Sequence, residues 1–223
     1  SIEGVSRSQN MRNVIDYSPL LRACLFNLDR WVAEGVEPPP SSHPRADDGT
    51  AVPPAMIKKA FEGIPHAHHP ERIAIPRRRD YALREDVEQI QQMPPIVGEA
   101  FGTLLPAVDE DGNEVPGIRL PEVVVPLATH TGWTLRHPDI GGVTQLLMFA
   151  GATIPFASTP SRRVATGDPR RSIAERYASK ENYLELVRGA GVGLVEQGYM
   201  LEEDIERCVE QAERFWEYLS TNG

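Results

Sequence analysis

The twenty prolines of this 223-residue chain limit the helices and strands that it can form. Between Glu37 and Pro95 they interrupt almost every apolar run, as in EPPPSSHPRADDGTAVPPA and QMPPIVG. Proline lacks a backbone N–H and fixes φ, so it ends helices and is excluded from the interior of a sheet. We therefore predict an irregular proline-rich arm here, with one short helix from Tyr81 to Gln92. Recurring apolar residues favour an arm that is ordered on another surface: Val52, Met56, Ile57, Phe61, Ile64, Ile73 and Ile75.

The clearest helix lies before the arm, from Ser18 to Glu34. Ser18 is a good N-cap, Pro19 suits the first helical position, and Gly35 suits the left-handed conformation that ends a helix. Apolar residues at helical spacing form one broad stripe: Leu20, Leu21, Cys24, Leu25, Leu28, Trp31 and Val32. The residues before the helix, SIEGVSRSQN, are too polar to cover it. We therefore expect this helix to cover an apolar surface elsewhere.

The residues after the arm change from a strand pattern to a helix pattern. Between 102 and 136, Asp111-Gly112 suits a hairpin turn, and the valines 123–125 predict a buried strand. Further on, SIAE at 172–175 is a capping box, and a second helix is predicted from Ser179 to near Gly198. The last helix has one apolar face: Ile205, Cys208, Val209, Ala212, Phe215, Trp216 and Leu219. This order is not that of a self-sufficient parallel α/β domain.

Charge and composition exclude several classes of partner. The net charge of −9 argues against non-specific nucleic-acid binding, and no apolar run is long enough to span a membrane. The basic cluster Arg77–Arg79 is interpreted as a solvated loop. Cys24 and Cys208 each lie on an apolar helix stripe, where we expect small buried side chains rather than a disulfide. Together with the lack of a recognisable signal peptide, this favours a cytoplasmic protein.

Motifs for catalysis and for cofactors are scarce. No serine lies in a Gly-x-Ser-x-Gly setting, and GAGVG at 189–193 falls inside a helical pattern. Neither a Walker sequence nor a dinucleotide-binding glycine motif is present, so we expect no cofactor. DEDGNE at 109–114 has Glu114 where a calcium loop needs glycine, so it is interpreted as a turn.

HAHH at 66–69 is the best metal-binding candidate, because His66, His68 and His69 offer three imidazoles close together. Pro70 restricts the way in which Glu71 could fold back as a further ligand. Three histidines in a proline-rich loop are more often simply exposed, so no metal is expected.

The segment ATHTGWTLRH, residues 128–137, is the best binding candidate. It places His130, Thr131, Trp133 and Arg136 at the end of a β segment, where binding groups are common. We predict that these four residues line a substrate pocket. The alternative is a buried Trp133 whose polar neighbours satisfy the local backbone.

Three long stretches carry a resemblance to a known family: NVIDYSPLLRACLFNLDRWVAEGVEPPPSSHPRADDGTAVP, DEDGNEVPGIRLPEVVVPLATHTGWTLR and IPFASTPSRRVATGDPRRSIAERYASKENYLELV. They resemble the C-terminal portion of bacterial alpha/beta hydrolase domain-containing proteins. The resemblance implies an α/β-hydrolase-like fold and an enzyme that acts on esters or related small-molecule acyl compounds. Since the triad runs Ser, then Asp or Glu, then His in this fold, it also implies that the triad lies upstream of this chain. No catalytic residue is then expected in these 223 residues.

The resemblance also implies a division into three parts. Residues 1–36 contain a terminal segment and the last helix of the hydrolase core, 37–101 form the proline-rich arm, and 102–223 form a mixed α+β extension with short strands and C-terminal helices. The partner is then an upstream hydrolase half or a separate hydrolase chain. Two alternatives stay open: a non-catalytic binding or structural module that associates with such a chain, and a small metal-binding protein that uses His66, His68 and His69.

Overall fold

The computed structural model describes residues 7–71, 75–84 and 89–222. The helices in these residues are α1 Ser18–Glu34, α2 Pro54–Ala60, α3 Pro121–Val124, α4 Pro160–Thr166, α5 Ile173–Arg176, α6 Lys180–Glu196 and α7 Asp204–Asn222, with a 3-10 turn at Pro138–Ile140. The strands are β1 Met11–Arg12, β2 Ala51–Val52, β3 Arg77–Asp80, β4 Leu83–Arg84, β5 Gln89–Ile90, β6 Ile96–Ala100, β7 Leu105–Pro106, β8 Ala128–Thr131 and β9 Ala152–Pro155. No helix within the described ranges is long and apolar enough to cross a bilayer.

The first helix has the predicted bounds but a different cap. Tyr17 occupies the N-cap position, and the Ser18 N–H donates to Oδ1 of Asp16 at 2.9 Å. Asp16 therefore supplies the acceptor that was expected from Ser18, so the predicted N-cap was wrong by one residue. Gly35 ends the helix with a φ of 73°, as predicted, because only a residue without Cβ adopts this conformation freely.

The apolar stripe of α1 is exposed to solvent. Leu25 keeps 67% of its accessible surface and Val32 keeps 81%, and Cys24, which we expected to be buried, is exposed too. The other side of α1 packs on the protein, with Pro19 and Ala23 buried. Among the residues that the structure describes, none covers the stripe. This exposure is consistent with the expectation that the stripe of α1 packs against an apolar surface elsewhere.

The first half of the arm is ordered, as predicted. Its apolar residues Val52, Ile57, Phe61 and Ile64 form a small core with Ala152 and Ile154 of β9. β2 pairs with β7, which fixes the start of this segment. Met56 and Ile75 are exposed, and Ile73 lies outside the described residues.

The helix predicted for Tyr81–Gln92 was wrong. β4 and β5 pair antiparallel there, and 85–88 lie outside the described residues. Ala82 has a φ of 47°, and its N–H donates to Oδ1 of Asp80 at 2.7 Å. This turn is incompatible with a continuous right-handed helix. The basic cluster is likewise a strand rather than a loop, since β3 pairs with β6, although its side chains are exposed as expected.

The central sheet has three antiparallel strands in the order β1–β9–β8. All four residues of β8 are buried, so this strand forms the centre of the protein. The strand predicted at the valines 123–125 was wrong, because α3 occupies this position. Pro121 starts α3, and the N–H groups of Val123 and Val124 donate to the Leu120 carbonyl. β8 begins only after Pro126.

The C-terminal helices pack on one face of this centre, and they were predicted correctly. The Ser172–Glu175 capping box is present, and Ser179 caps α6 by accepting from the Asn182 N–H. The predicted face of α7 lies in the main core, where Cys208 is buried as expected. Tyr183 of α6 stacks on Trp216 of α7 with ring centres 5.1 Å apart.

Candidate functional site

A cavity of about 210 Å³ lies at the end of β8, between the arm and the central sheet. We call it the aromatic cavity. Its walls are mainly apolar: Ile57, Phe61, Leu105, Val108, Trp133 and Leu146. Four side chains add polar groups to the lining: His69, Glu114, His130 and Thr131. Such a site, largely apolar with a few polar groups, is typical of a small-molecule pocket.

Trp133 is the centre of an aromatic cluster in this cavity. Its ring lies edge-to-face against Phe61, with centres 5.3 Å apart, and against His69 at 5.5 Å. These contacts fix the orientation of the indole while leaving it partly exposed. Trp133 can therefore offer an apolar surface to a ligand.

His130 is held in β8 by a buried asparagine. The Asn113 side chain is fully buried; its Oδ1 accepts from the His130 backbone N–H at 2.8 Å, and its Nδ2 donates to the Ala128 carbonyl at 3.1 Å. Asn113 follows the Asp111-Gly112 turn, where Gly112 has a φ of 78°. The predicted turn thus holds the backbone of β8 in place.

The His130 imidazole is buried and neutral. Its Nδ1 is 3.2 Å from the Thr153 hydroxyl, while its Nε2 is buried with no hydrogen-bond partner in the described part of the chain. Burial lowers the pKa of His130 to about 4, because the charged form loses its hydration. An uncharged imidazole with one free nitrogen is suited to hydrogen bonding with a neutral ligand.

The side chains of the other two predicted site residues, Thr131 and Arg136, form hydrogen bonds with the protein backbone. Thr131 lines the cavity, but its hydroxyl donates to the Trp133 carbonyl and accepts from the Ala152 N–H at 3.2 Å. Arg136 does not line this cavity; its guanidinium donates to the carbonyls of Gly141 at 2.8 Å and Ile140 at 2.9 Å. The structure therefore brings His130, Thr131 and Trp133 together and directs Arg136 to a neighbouring loop.

The three histidines of the HAHH segment do not point to one centre. His66 and His68 are exposed, whereas His69 is half-buried beside Trp133. Desolvation lowers the pKa of His69, and desolvation also raises the pKa of Glu114 across the cavity. Within the described residues, no group of three or more potential metal ligands converges.

Phe61, His69 and Glu114 were not predicted as members of a pocket with Trp133. Phe61 was expected only to order the arm, and His69 was considered only as a metal ligand. These residues are distant from β8 in sequence, so no sequence pattern indicated that they contact the segment around Trp133. The recurring apolar residues in the arm were the one available signal.

The lining of the aromatic cavity is suited to binding a small apolar group. The two histidines in its lining have hydrogen-bond partners within the protein, and His69 bonds to the Pro70 carbonyl at 3.1 Å. His130 is bonded to Thr153, whose hydroxyl already accepts from the Val14 N–H at 3.1 Å. The cavity can therefore hold an apolar group beside neutral hydrogen-bonding partners.

Comparison with known families agrees with the fold-level expectation. The family model described as the alpha/beta hydrolase domain matches residues 3–210. This match spans most of the chain, which therefore belongs to the alpha/beta hydrolase domain family. No curated protein and no solved structure matches it. The bacterial origin and the position at the C-terminal end of a larger enzyme stay predictions.

Proposed function

We propose that this chain forms the C-terminal part of an α/β-hydrolase-like enzyme that acts on esters or related acyl compounds. Its nucleophile, acid and catalytic histidine lie upstream of the chain, and α1 is the last helix of the hydrolase core. The aromatic cavity binds the apolar part of the small-molecule substrate, with Trp133 as its apolar surface and His130 as part of its wall.

The exposed stripe of α1 is the observation that carries this proposal. Leu21, Leu25 and Leu28 each keep half or more of their surface in water. Fully burying an exposed leucine is worth roughly 1.5–3 kcal/mol, so covering the exposed half of these three would contribute a few kcal/mol in total. The described strands pair only antiparallel, in sheets of two or three, and none of them lies over the stripe. A hydrolase sheet is the surface that family membership suggests.

The lining of the aromatic cavity favours an ester over a free acid. The pKa shifts of His69 and Glu114 both oppose charge, and Arg136 bonds to backbone carbonyls outside the cavity. An acyl chain of modest length would contact Trp133 and Phe61 without burying an unpaired charge.

Hydrolysis of p-nitrophenyl esters tests the proposal directly. The chain alone should give the rate of an inactive control protein, whereas co-expression with the upstream part of its coding sequence should give turnover. Leu25→Glu should abolish that gain, while Leu186→Glu, which alters an exposed leucine on α6, should not. Turnover by the chain alone that survives repurification, and that is lost on substitution of one of its own serines or histidines, would overturn the proposal. Association without turnover would indicate a non-catalytic module.

A further inference from the structure

A second cavity, of about 270 Å³, lies on the other side of β8, against α7. We call it the Glu122 cavity. Apolar and aromatic side chains form most of its wall: Met11, Val14, Leu127, Tyr183, Ala212 and Phe215. Glu122 and His130 also line it, and His130 thus borders both cavities. None of the functions considered above uses the Glu122 cavity.

Glu122 and His130 each present a buried polar atom that has no partner in the described ranges. These atoms are Oε2 of Glu122 and Nε2 of His130, and the two residues keep only 7% of their surface exposed. Buried polar atoms are nearly always hydrogen-bonded in folded proteins. Both atoms belong to residues that line one apolar cavity, so a ligand in this cavity could supply the missing bonds.

Both polar groups are mainly uncharged at mildly acidic pH. Burial, with a smaller contribution from the negative charge of Asp16, raises the pKa of Glu122 to about 7. Desolvation lowers the pKa of His130, as described above. Between about pH 5 and 6, the cavity therefore offers a carboxylic acid and a neutral imidazole. A carboxyl group kept neutral in an apolar site can donate a hydrogen bond to a ligand oxygen.

The tautomer of His130 is linked to the direction of its hydrogen bond with Thr153. The Thr153 hydroxyl accepts from the Val14 N–H at 3.1 Å, so its own proton is available for Nδ1 of His130 at 3.2 Å. In the tautomer in which Thr153 donates this proton to Nδ1, the imidazole proton lies on Nε2, and we take this tautomer for the inferred complex. His130 and Glu122 then both have a proton to donate.

From this geometry we infer that the Glu122 cavity binds a compact, uncharged organic molecule whose carbonyl or hydroxyl oxygen accepts hydrogen bonds from Glu122 and His130. A cavity of about 150 Å³ is large enough for benzene, so this one accommodates a single ring with a short substituent. A carboxylate is disfavoured, because the cation on the wall, Arg214, is exposed and lies 3.9 Å from Glu210. This site is independent of the proposed ester hydrolysis.

Binding of cyclohexanone to the whole chain, followed by isothermal titration calorimetry at pH 6, tests this inference. Cyclohexanol should bind with similar affinity, and cyclohexanecarboxylate should bind at least tenfold more weakly. Glu122→Leu should weaken cyclohexanone binding about tenfold, whereas Glu185→Gln, an acid-to-amide change on the exposed side of α6, should leave it unchanged. Equal binding of the carboxylate, or unchanged ketone binding by Glu122→Leu, would overturn the inference.

Two further measurements keep the test decisive. Loss of ketone binding in Trp133→Ala but not in Glu122→Leu would assign the ketone to the aromatic cavity and overturn the inference. If Glu122→Leu does not fold, the side-chain ¹⁵N NMR signals of His130 in the unmodified chain test the inference instead. Cyclohexanone should shift Nε2 and cyclohexanecarboxylate should not; an unmoved Nε2 signal at saturating ketone rejects the site.

Discussion

Asn113 and His130 are joined across 17 positions of sequence by a buried hydrogen bond of 2.8 Å from the His130 backbone N–H to the asparagine Oδ1. With the bond to the Ala128 carbonyl, this one side chain satisfies two backbone groups at the edge of β8. The turn at Asp111-Gly112 and the strand that carries the candidate site therefore form one structural unit.

We expect Asn113→Ala to destabilise the fold strongly. It removes the partners of two buried backbone groups, each costing about 1–3 kcal/mol when unpaired. Chemical denaturation measures the loss. Asn27→Ala is the matched control: it removes a similar bond, to the Gly198 carbonyl, but Asn27 is only partly buried, so water can replace it. Equal losses of unfolding free energy in the two variants would show that the buried Asn113 bonds stabilise the fold no more than the partly buried Asn27 bond.

The exposed stripe predicts the behaviour of the isolated chain. With Leu21, Leu25, Leu28 and Trp31 in water, the chain should self-associate or bind a hydrophobic dye. Light scattering and dye fluorescence measure this, and Leu25→Glu together with Val32→Glu should reduce both signals. A monodisperse, cooperatively melting monomer that binds no dye would contradict the exposure of the stripe.

Trp133→Ala separates a binding role from a structural one in the active enzyme. Because Trp133 is only partly buried, its loss should cost less than the roughly 3–5 kcal/mol typical of a fully buried tryptophan. The Michaelis constant for p-nitrophenyl esters should rise, or the preference for acyl length should change, while the melting temperature falls little. A collapsed melting temperature with unchanged kinetics would remove Trp133 from the substrate pocket.

The pKa values of Glu122 and His130 predict opposite dependences of stability on pH. The pKa of Glu122 is raised from 4.5 to about 7 on folding, so its contribution to stability is lost as pH rises through this range. The pKa of His130 is lowered from 6.5 to about 4, so its contribution is lost as pH falls from 6.5 to 4. Between pH 5 and 6 the folded and unfolded chains then bind the same number of protons at this pair, and the two slopes cancel.

Substituting either residue alone should reveal the pH dependence of the unfolding free energy that the other residue cancels in the unmodified chain. Relative to the unmodified chain, Glu122→Gln should make the unfolding free energy rise with pH between 5 and 6, by up to about 1.4 kcal/mol per pH unit. His130→Gln should make it fall by a similar amount. The neighbours Tyr183 and Cys208, whose pKa values burial raises, stay protonated throughout, and Asp16, whose pKa is lowered, stays charged. Parallel curves for all three proteins would contradict the assigned protonation states.

The helices were predictable because their signals are local. Pro19 and Gly35 mark the ends of α1, and Ser172 with Glu175 forms the capping box of α5 without help from distant residues. The valines 123–125 were misleading, since β-branched residues favour strands, yet the position of Pro121 and packing against α6 and α7 determine a helix. The region around Ala82 was mispredicted because the turn at Asp80 and the pairing of β4 with β5, both local, form in place of a helix.

The candidate site was predictable only where it follows one strand. His130, Thr131 and Trp133 are neighbours in sequence, so a single polar and aromatic segment indicated them. Phe61 comes from the arm and Glu122 from a short helix, and no periodicity connects them to β8. The role of Arg136 depended on the path of the loop at Pro138–Ile140, which the sequence pattern does not specify.

The attachment of α1 has a consequence for whatever covers its stripe. Arg22 pairs with the buried Asp204 at the start of α7, and Asn27 donates to the Gly198 carbonyl at 2.8 Å, so the helix is already fixed in place on its polar side. Removing α1 would leave the Asp204 carboxylate without this cation. A partner surface therefore meets a preorganised helix and does not have to offset the conformational entropy of ordering it. Most of the free energy of burying Leu21, Leu25 and Leu28 is then available for association, and the affinity is set by shape complementarity rather than by folding.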